Sequence, residues 1–136
     1  MSQIITYSDA HFAGLDGLWR EAFPDDPPRN RAALAVPAKL AEQPELLFVA
    51  VDGADVVGSV MAGYDGHRGW LYAVAVRQSH RGAGVGRALV SHAEAVLQQR
   101  GCLKVNLQVR DGNRVAGFYT ALGYEIEPRV SMGKSL

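Results

Sequence analysis

At 136 residues, 48% hydrophobic and 21% charged, the chain is large enough to bury a core as one domain, residues 1–136, without disulfide or metal staples. Fourteen basic residues balance fourteen acidic ones, which argues against a general nucleic-acid binder, and no apolar run approaches the length of a membrane span. A lone Cys102 excludes an internal disulfide, no cysteine pair or HxxxH spacing offers a metal site, and the first residues lack the basic and apolar regions of a secretory signal, so a cytoplasmic protein is expected.

In chain order, QIITY at 3–7 reads as a short strand. Ser8 then caps a helix whose apolar positions Phe12, Leu15, Leu18, Trp19, Ala22 and Phe23 recur at three and four. PDDPP at 24–28 ends it as a rigid acidic loop, and Pro37 suits the first residue of a second short helix reaching Gln43. Residues 46–52, 56–64 and 70–76 form an antiparallel meander whose turns are DGAD and DGHRG. A helix over 85–100 places Val85, Leu89, Val96 and Leu97 on one face, Gly101 stops it, and 104–109 is a further strand. Asn113 caps a last helix carrying Val115, Phe118 and Leu122, and 124–127 with 130–135 read as a closing strand pair. The order is β-α-α-β-β-β-α-β-α-β-β, an α/β (α+β) pattern that is neither doubly wound nor a sandwich.

Between the fourth strand and the third helix stands SHRGAGVGRALV. Its glycines Gly82, Gly84 and Gly86 let backbone amides converge on one cluster of oxygens, and the following helix adds the positive end of its dipole. Arg81 and Arg87 sit where that dipole disfavours cations by about 0.3–1 kcal/mol unless an anion compensates. From Gly66 to Ala93 the sequence holds no Asp or Glu while Arg68, Arg77, Arg81 and Arg87 all fall there, so the loop is expected to bind an external anion. A dinucleotide fingerprint needs glycine where Arg87 stands, and no GKS or GKT follows as a P-loop requires. By itself such a loop is also compatible with a tight turn capping a helix. Charge is divided as well: residues 1–65 carry net −6 and 66–136 net +6. Those charges either pair across the fold or set an acidic surface for a cationic partner against a basic one for the anion.

With QSHRGAGVGRAL after the fourth strand and NRVAGFYTALGYE near the end, the chain closely resembles the GNAT superfamily of acetyl-CoA-dependent N-acetyltransferases over nearly its whole length, and VMAGYDGHRG resembles its small bacterial YpeA-like subgroup. The resemblance implies a mixed, mostly antiparallel sheet of about seven strands with about four helices, acetyl-CoA as co-substrate, and a primary amine on a small molecule or peptide as acceptor. It further implies that Arg81, Gly82, Ala83, Gly84, Val85, Gly86 and Arg87 hold the pyrophosphate of coenzyme A. Val74 and Val76 of the fourth strand would offer free backbone to the pantetheine, and Asn113 often also touches the coenzyme. Tyr119 matches a tyrosine proposed to protonate the departing thiolate, a task suited to a phenol of ordinary pKa about 10; the plainer reading makes it an extension of the Phe118 core stripe. A glutamate that some relatives use as general base is replaced by Gln108, which takes up no proton. That leaves a water relay, Asp65 and His67 of YDGHRG, or an acceptor arriving neutral, although YDGHRG is equally a hairpin with a polar tip. Dimerisation is left open. A non-catalytic acyl-CoA-binding module is the rival to an enzyme attacking directly through a tetrahedral intermediate.

Overall fold

A computed structural model of the chain describes residues 2–110 and 115–136. Its centre is a sheet in which β1 (Gln3–Thr6), β2 (Leu47–Asp52), β3 (Asp55–Tyr64) and β4 (Gly69–Val76) run antiparallel in sequence order, and β5 (Val105–Leu107) joins β4 in parallel. Helices α1 (Phe12–Ala22) and α2 (Ala32–Glu42) cover one face, α3 (Val85–Gln99) covers the other, and α4 (Ala116–Ala121) follows β5.

Helices on both faces explain why β2 is buried from Leu47 to Val51, with no polar side. Its residues alternate: Phe48 and Ala50 pack with Leu89, Val90, Ala93 and Leu97 of α3, while Leu47, Val49 and Val51 pack with Leu15, Leu18 and Trp19 of α1. Contact is close at Gly58, where a Cβ would lie 2.8 Å from Leu89 Cδ1 and 3.1 Å from the Ala75 carbonyl oxygen. Any larger residue there lifts α3 off the sheet.

Two expectations are corrected. Pro37 lies inside α2, which begins at Ala32. The proline removes one intrahelical donor, but Pro37 is exposed, and the helix is held by burial of Ala32 and Val36 on the α1 side of the sheet. Lys39 pins its far end to β3 by donating to the Ala62 carbonyl, with burial lowering the amine's pKa. The closing strand pair is absent, so the sheet has five strands among the described residues rather than seven. Residues 124–136 run without a backbone ladder, and Ile126, Val130 and Met132 are exposed, because no described residue lies opposite to bury their apolar side. The expected cap at Asn113 falls outside the described residues. Among those described, no helix is long and apolar enough to cross a membrane.

Candidate active site

The sheet opens where β4 and β5 part. Parallel pairing joins Gly69, Leu71 and the residue between them to Val105–Leu107 and goes no further. Beyond Leu71, β4 keeps β3 on one side and, among the described residues, has no strand on the other, so a wedge runs along its second half. Val74 and Val76 are in this half, and both side chains pack on the α3 face together with Phe118 and Tyr119 of α4.

A bulge shapes the wedge. Ser59 pairs with Ala75 but Met61 pairs with Tyr72, so two β4 residues oppose Val60 alone. Ala73 takes φ +50°, a left-handed conformation that costs a residue other than glycine on the order of 1–3 kcal/mol. A buried relay holds it: Trp19 Nε1 donates to Ser59 Oγ at 2.9 Å, and that hydroxyl donates to the Ala73 carbonyl at 2.7 Å. Nothing in the reading of the sequence anticipated this device. The available signal was a serine inside a strand otherwise apolar on both faces, paired with a tryptophan on a core helix stripe whose N–H needs an acceptor.

At the end of β4 the glycine loop begins. Gly82 and Gly84 have φ of +81° and +82°, and no atom lies within 4 Å of where a Cβ would sit on either, so the turn faces open space. Gly84 caps α3 in the left-handed region, and the amides of Val85, Gly86 and Arg87 are the ones an α-helix leaves without internal acceptors. Val85 is buried and Ala83 is exposed on the turn. At Gly86 a Cβ would stand 3.2 Å from the Phe118 ring, so this glycine lets α4 close on the start of α3. Arg81 Nε donates to the Val76 carbonyl at 3.3 Å, fastening loop to strand.

The arginines sort themselves. Arg77 finds its acid inside the protein, contrary to expectation: its guanidinium reaches Glu21 of α1 at 3.4 Å and the carbonyls of Val56 and Gly14. The Gln78 amide, then the Arg77 charge, hold the Glu21 carboxyl below its ordinary range. Arg81 and Arg87 are exposed and form no ion pair among the described residues. His80, beside them, is tied to Asp52 of β2 at 3.0 Å and to Ser79 at 2.8 Å.

Tyr119 lies between the rings of Phe118 and Tyr124, at centroid distances of 4.9 and 5.9 Å, both edge to face. Burial pushes its phenol above the ordinary value, so it is protonated at neutral pH. The Tyr124 hydroxyl donates to Glu94 at 2.7 Å, whereas among the described residues the Tyr119 hydroxyl has no partner.

Asp65 and His67 stand elsewhere. They occupy the hairpin before β4, on the far side of the Gly69–Leu71 pairing from the wedge. The Asp65 carboxylate accepts the amides of Arg68 at 2.7 Å and His67 at 2.8 Å, and those two bonds lower its pKa. It closes the turn. Four residues of strand, roughly 13 Å, separate Arg68 from Tyr72 at the mouth of the wedge. Gln108 donates to the Ser131 hydroxyl, Asp26 of the acidic loop pairs with Arg110, and buried Cys102 donates to the Lys104 carbonyl at 3.3 Å.

The sheet parts between two parallel strands, its open end carries a glycine turn and two arginines without ion pairs among the described residues, and a protonated tyrosine packs against the core on the α3 side. The acetyltransferase (GNAT) family model matches residues 12–124, and the chain belongs to that family, with acetyl-CoA as its co-substrate. An acetyltransferase of Yersinia pestis (strain Pestoides F) is 44% identical over 110 residues, 80% of this chain and 78% of that protein. Among solved structures, Ard1 from Thermoplasma volcanium superposes with a TM-score of 0.82 at 23% identity, covering 93% of this chain and 84% of that one. AAC(6')-Iy in complex with the bisubstrate analog CoA-S-monomethyl-acetylneamine gives 0.78 at 20% identity, over 100% and 99% of the two chains. These two likenesses concern the fold.

Proposed function

We propose that the protein moves an acetyl group from acetyl-CoA to a primary amine by direct attack, with the wedge between β4 and β5 as the reaction site. What supports this most is that the half of β4 beyond its pairing with β5 leads into the glycine turn, and that Val74, Val76 and Tyr119 pack against the same core on the α3 side of the sheet. The amides of Gly82, Ala83, Gly84, Val85, Gly86 and Arg87, with the Arg81 and Arg87 guanidinium groups, hold the pyrophosphate. Backbone of β4 at Val74 and Val76 that faces the wedge holds the pantetheine arm, with Arg81 moving off the Val76 carbonyl, and an amide of the bulged strand stabilises the charge that gathers on the carbonyl oxygen. The amine nitrogen bonds to the carbonyl carbon, the carbon–sulfur bond breaks, and the electron pair leaves on sulfur. Tyr119 gives that sulfur its proton, and the nitrogen loses one to water. With Asp65 committed to its turn and Gln108 unable to accept a proton, a neutral amine or a water relay fits the site better than a carboxylate base.

The AAC(6')-Iy bisubstrate complex shows a related fold working on an amine of a small molecule, and this carries the same reaction class here as a proposal. The experiment is a panel of primary amines offered with acetyl-CoA while free thiol is followed. Thiol release that depends on both amine and Tyr119 supports the reading. Tight coenzyme A binding with no release from any amine points to the acyl-CoA-binding module instead.

A further inference from the structure

Tyr119 is set by the way its helix ends. α4 closes in a two-bond turn: the Tyr124 amide donates to the Tyr119 carbonyl and the Gly123 amide to the Thr120 carbonyl, each at 3.0 Å. Gly123, at φ +97°, supplies the left-handed residue that such a turn needs. This ending carries the residue after the glycine back onto the one that accepts its amide. Here both are tyrosines, their rings edge to face at 5.9 Å. Tyr124 is therefore joined to Tyr119 twice, through backbone and through ring.

What holds Tyr124 lies on another helix. Its hydroxyl donates at 2.7 Å to Glu94 Oε2 of α3, 30 residues earlier in the chain, a length typical of a bond to a charged oxygen. Glu94 makes no ion pair among the described residues, so its carboxylate is given over to the phenol. The ring contact by itself needs no hydroxyl: a phenylalanine would pack on Tyr119 as well, with no carboxylate to draw partly out of water. The polar pair adds direction rather than area. A second fixing stands at the start of α3, where Gly86 makes room for the Phe118 ring, itself edge to face with Tyr119 at 4.9 Å. Gly86 and Glu94 are eight residues apart, roughly 12 Å along the helix. Two points so spaced set both the place and the tilt of α4, a six-residue helix with no buried residue of its own. We propose that Glu94 and Tyr124 are positioning residues: the carboxylate aims Tyr124, and Tyr124 aims the Tyr119 hydroxyl, so that the direction of the acid is tied to the helix that follows the glycine turn.

This inference rests on the acid role proposed for Tyr119, and its test reads orientation apart from turnover. The chain has five tyrosines. Labelled with 3-fluorotyrosine and saturated with coenzyme A, the protein should show a fluorine resonance for each, and the one lost in Tyr119→Phe belongs to Tyr119. Glu94→Ala and Tyr124→Phe should each shift or broaden that resonance, whereas Glu94→Gln, which keeps an acceptor oxygen, should leave it near its place. The resonance decides the positioning even where no amine is acetylated. With the amine that releases most thiol, kcat should fall about 10-fold to 10²-fold in Glu94→Ala and Tyr124→Phe, the loss that follows a displacement of about an ångström or less, with KM for acetyl-CoA unchanged. An aryl thioester, whose thiolate leaves with less need of an acid, should erase most of the loss, and in a Tyr119→Phe background neither variant should slow the reaction further. A fold that is only loosened would slow both donors alike, in both backgrounds. A Tyr119 resonance unmoved by both variants overturns the proposal, as does a loss that persists with the aryl donor. Full activity in Tyr119→Phe alone is failure of the acid reading, and takes the proposal with it; an impaired Tyr119→Phe beside fully active Glu94→Ala and Tyr124→Phe is failure of the positioning only.

Discussion

Replacing Tyr119 by Phe separates chemistry from packing. The phenol oxygen makes no hydrogen bond to a described residue, while the ring makes edge contacts with Phe118 and Tyr124. Losing the oxygen therefore removes no hydrogen bond to a described residue, and a melting temperature within about a degree of the parent is expected, since buried rings matter chiefly through their area. If the hydroxyl protonates the leaving sulfur, kcat should fall by about 10²–10⁴, the range for a positioned acid, with acetyl-CoA affinity unchanged. The pH profile adds a readout that packing cannot imitate: because burial holds the phenol above 10, the parent should keep its rate through mildly alkaline pH and lose it only beyond. The variant should lack that alkaline limb, and aryl thioesters, with better leaving groups, should recover part of its rate. Stopped-flow thiol release with an established amine measures all of this. Full activity in Tyr119→Phe would refute the assignment and leave the tyrosine as core.

Gly84→Val forces a β-branched residue into φ +82°, and calorimetry should show coenzyme A binding lost, while rising salt should weaken binding to the unaltered chain through Arg81 and Arg87. Ser59→Ala leaves the Trp19 N–H and the Ala73 carbonyl unpaired in the interior, so denaturant melts should show a loss of about 1–3 kcal/mol together with a raised KM for acetyl-CoA; unchanged values for both would mean the bulge does not depend on the relay. Tyr7, Tyr72, Tyr119 and Tyr124 all have raised phenol pKa values, each chiefly through burial. A raised folded-state value gives stability that is whole below the unfolded pKa of about 10 and is lost above it, so melting temperature should drop as pH passes about 10, and less steeply in Tyr124→Phe.

What the sequence made legible was periodicity and turn chemistry. The apolar run of β2, the apolar stripes of α1 and α3 and the glycine turn each follow from a local rule; β2 and α3 stand within a residue of their expected bounds, while Ser8 caps a short 3-10 turn at Asp9–His11 and α1 proper begins at Phe12. Pro37 went astray because a proline rule is local, whereas α2 is held by Val36 and Ala32, whose burial depends on an element far away in sequence. The two closing strands failed for a related reason. Residues 124–135 have strand composition, but a strand is completed by its neighbour, and no described strand pairs with them. Arg77 was grouped with Arg81 and Arg87 by sequence proximity alone, and only the packing of α1 over β4 brings Glu21 to it from 56 residues away.

The site itself divides along the same line. Its anion-binding end is written in residue types, because left-handed turns require glycine. On the proposed mechanism the catalytic end is written in backbone, because an amide that polarises a carbonyl needs no particular side chain. On the same reading that amide belongs to the bulge at Ala73, which holds a conformation alanine disfavours, and the strain is met by a serine and a tryptophan 14 and 54 residues earlier in the chain, a relay assembled only when α1 lies on the sheet. The core on the α1 side and the chemistry in the wedge are therefore not separable parts. A substitution that loosens α1, at Leu15 or Leu18 far from any coenzyme contact, reaches the reaction through Trp19, and its effect on acetyl-CoA KM should exceed that of an equally destabilising change on the β1 edge.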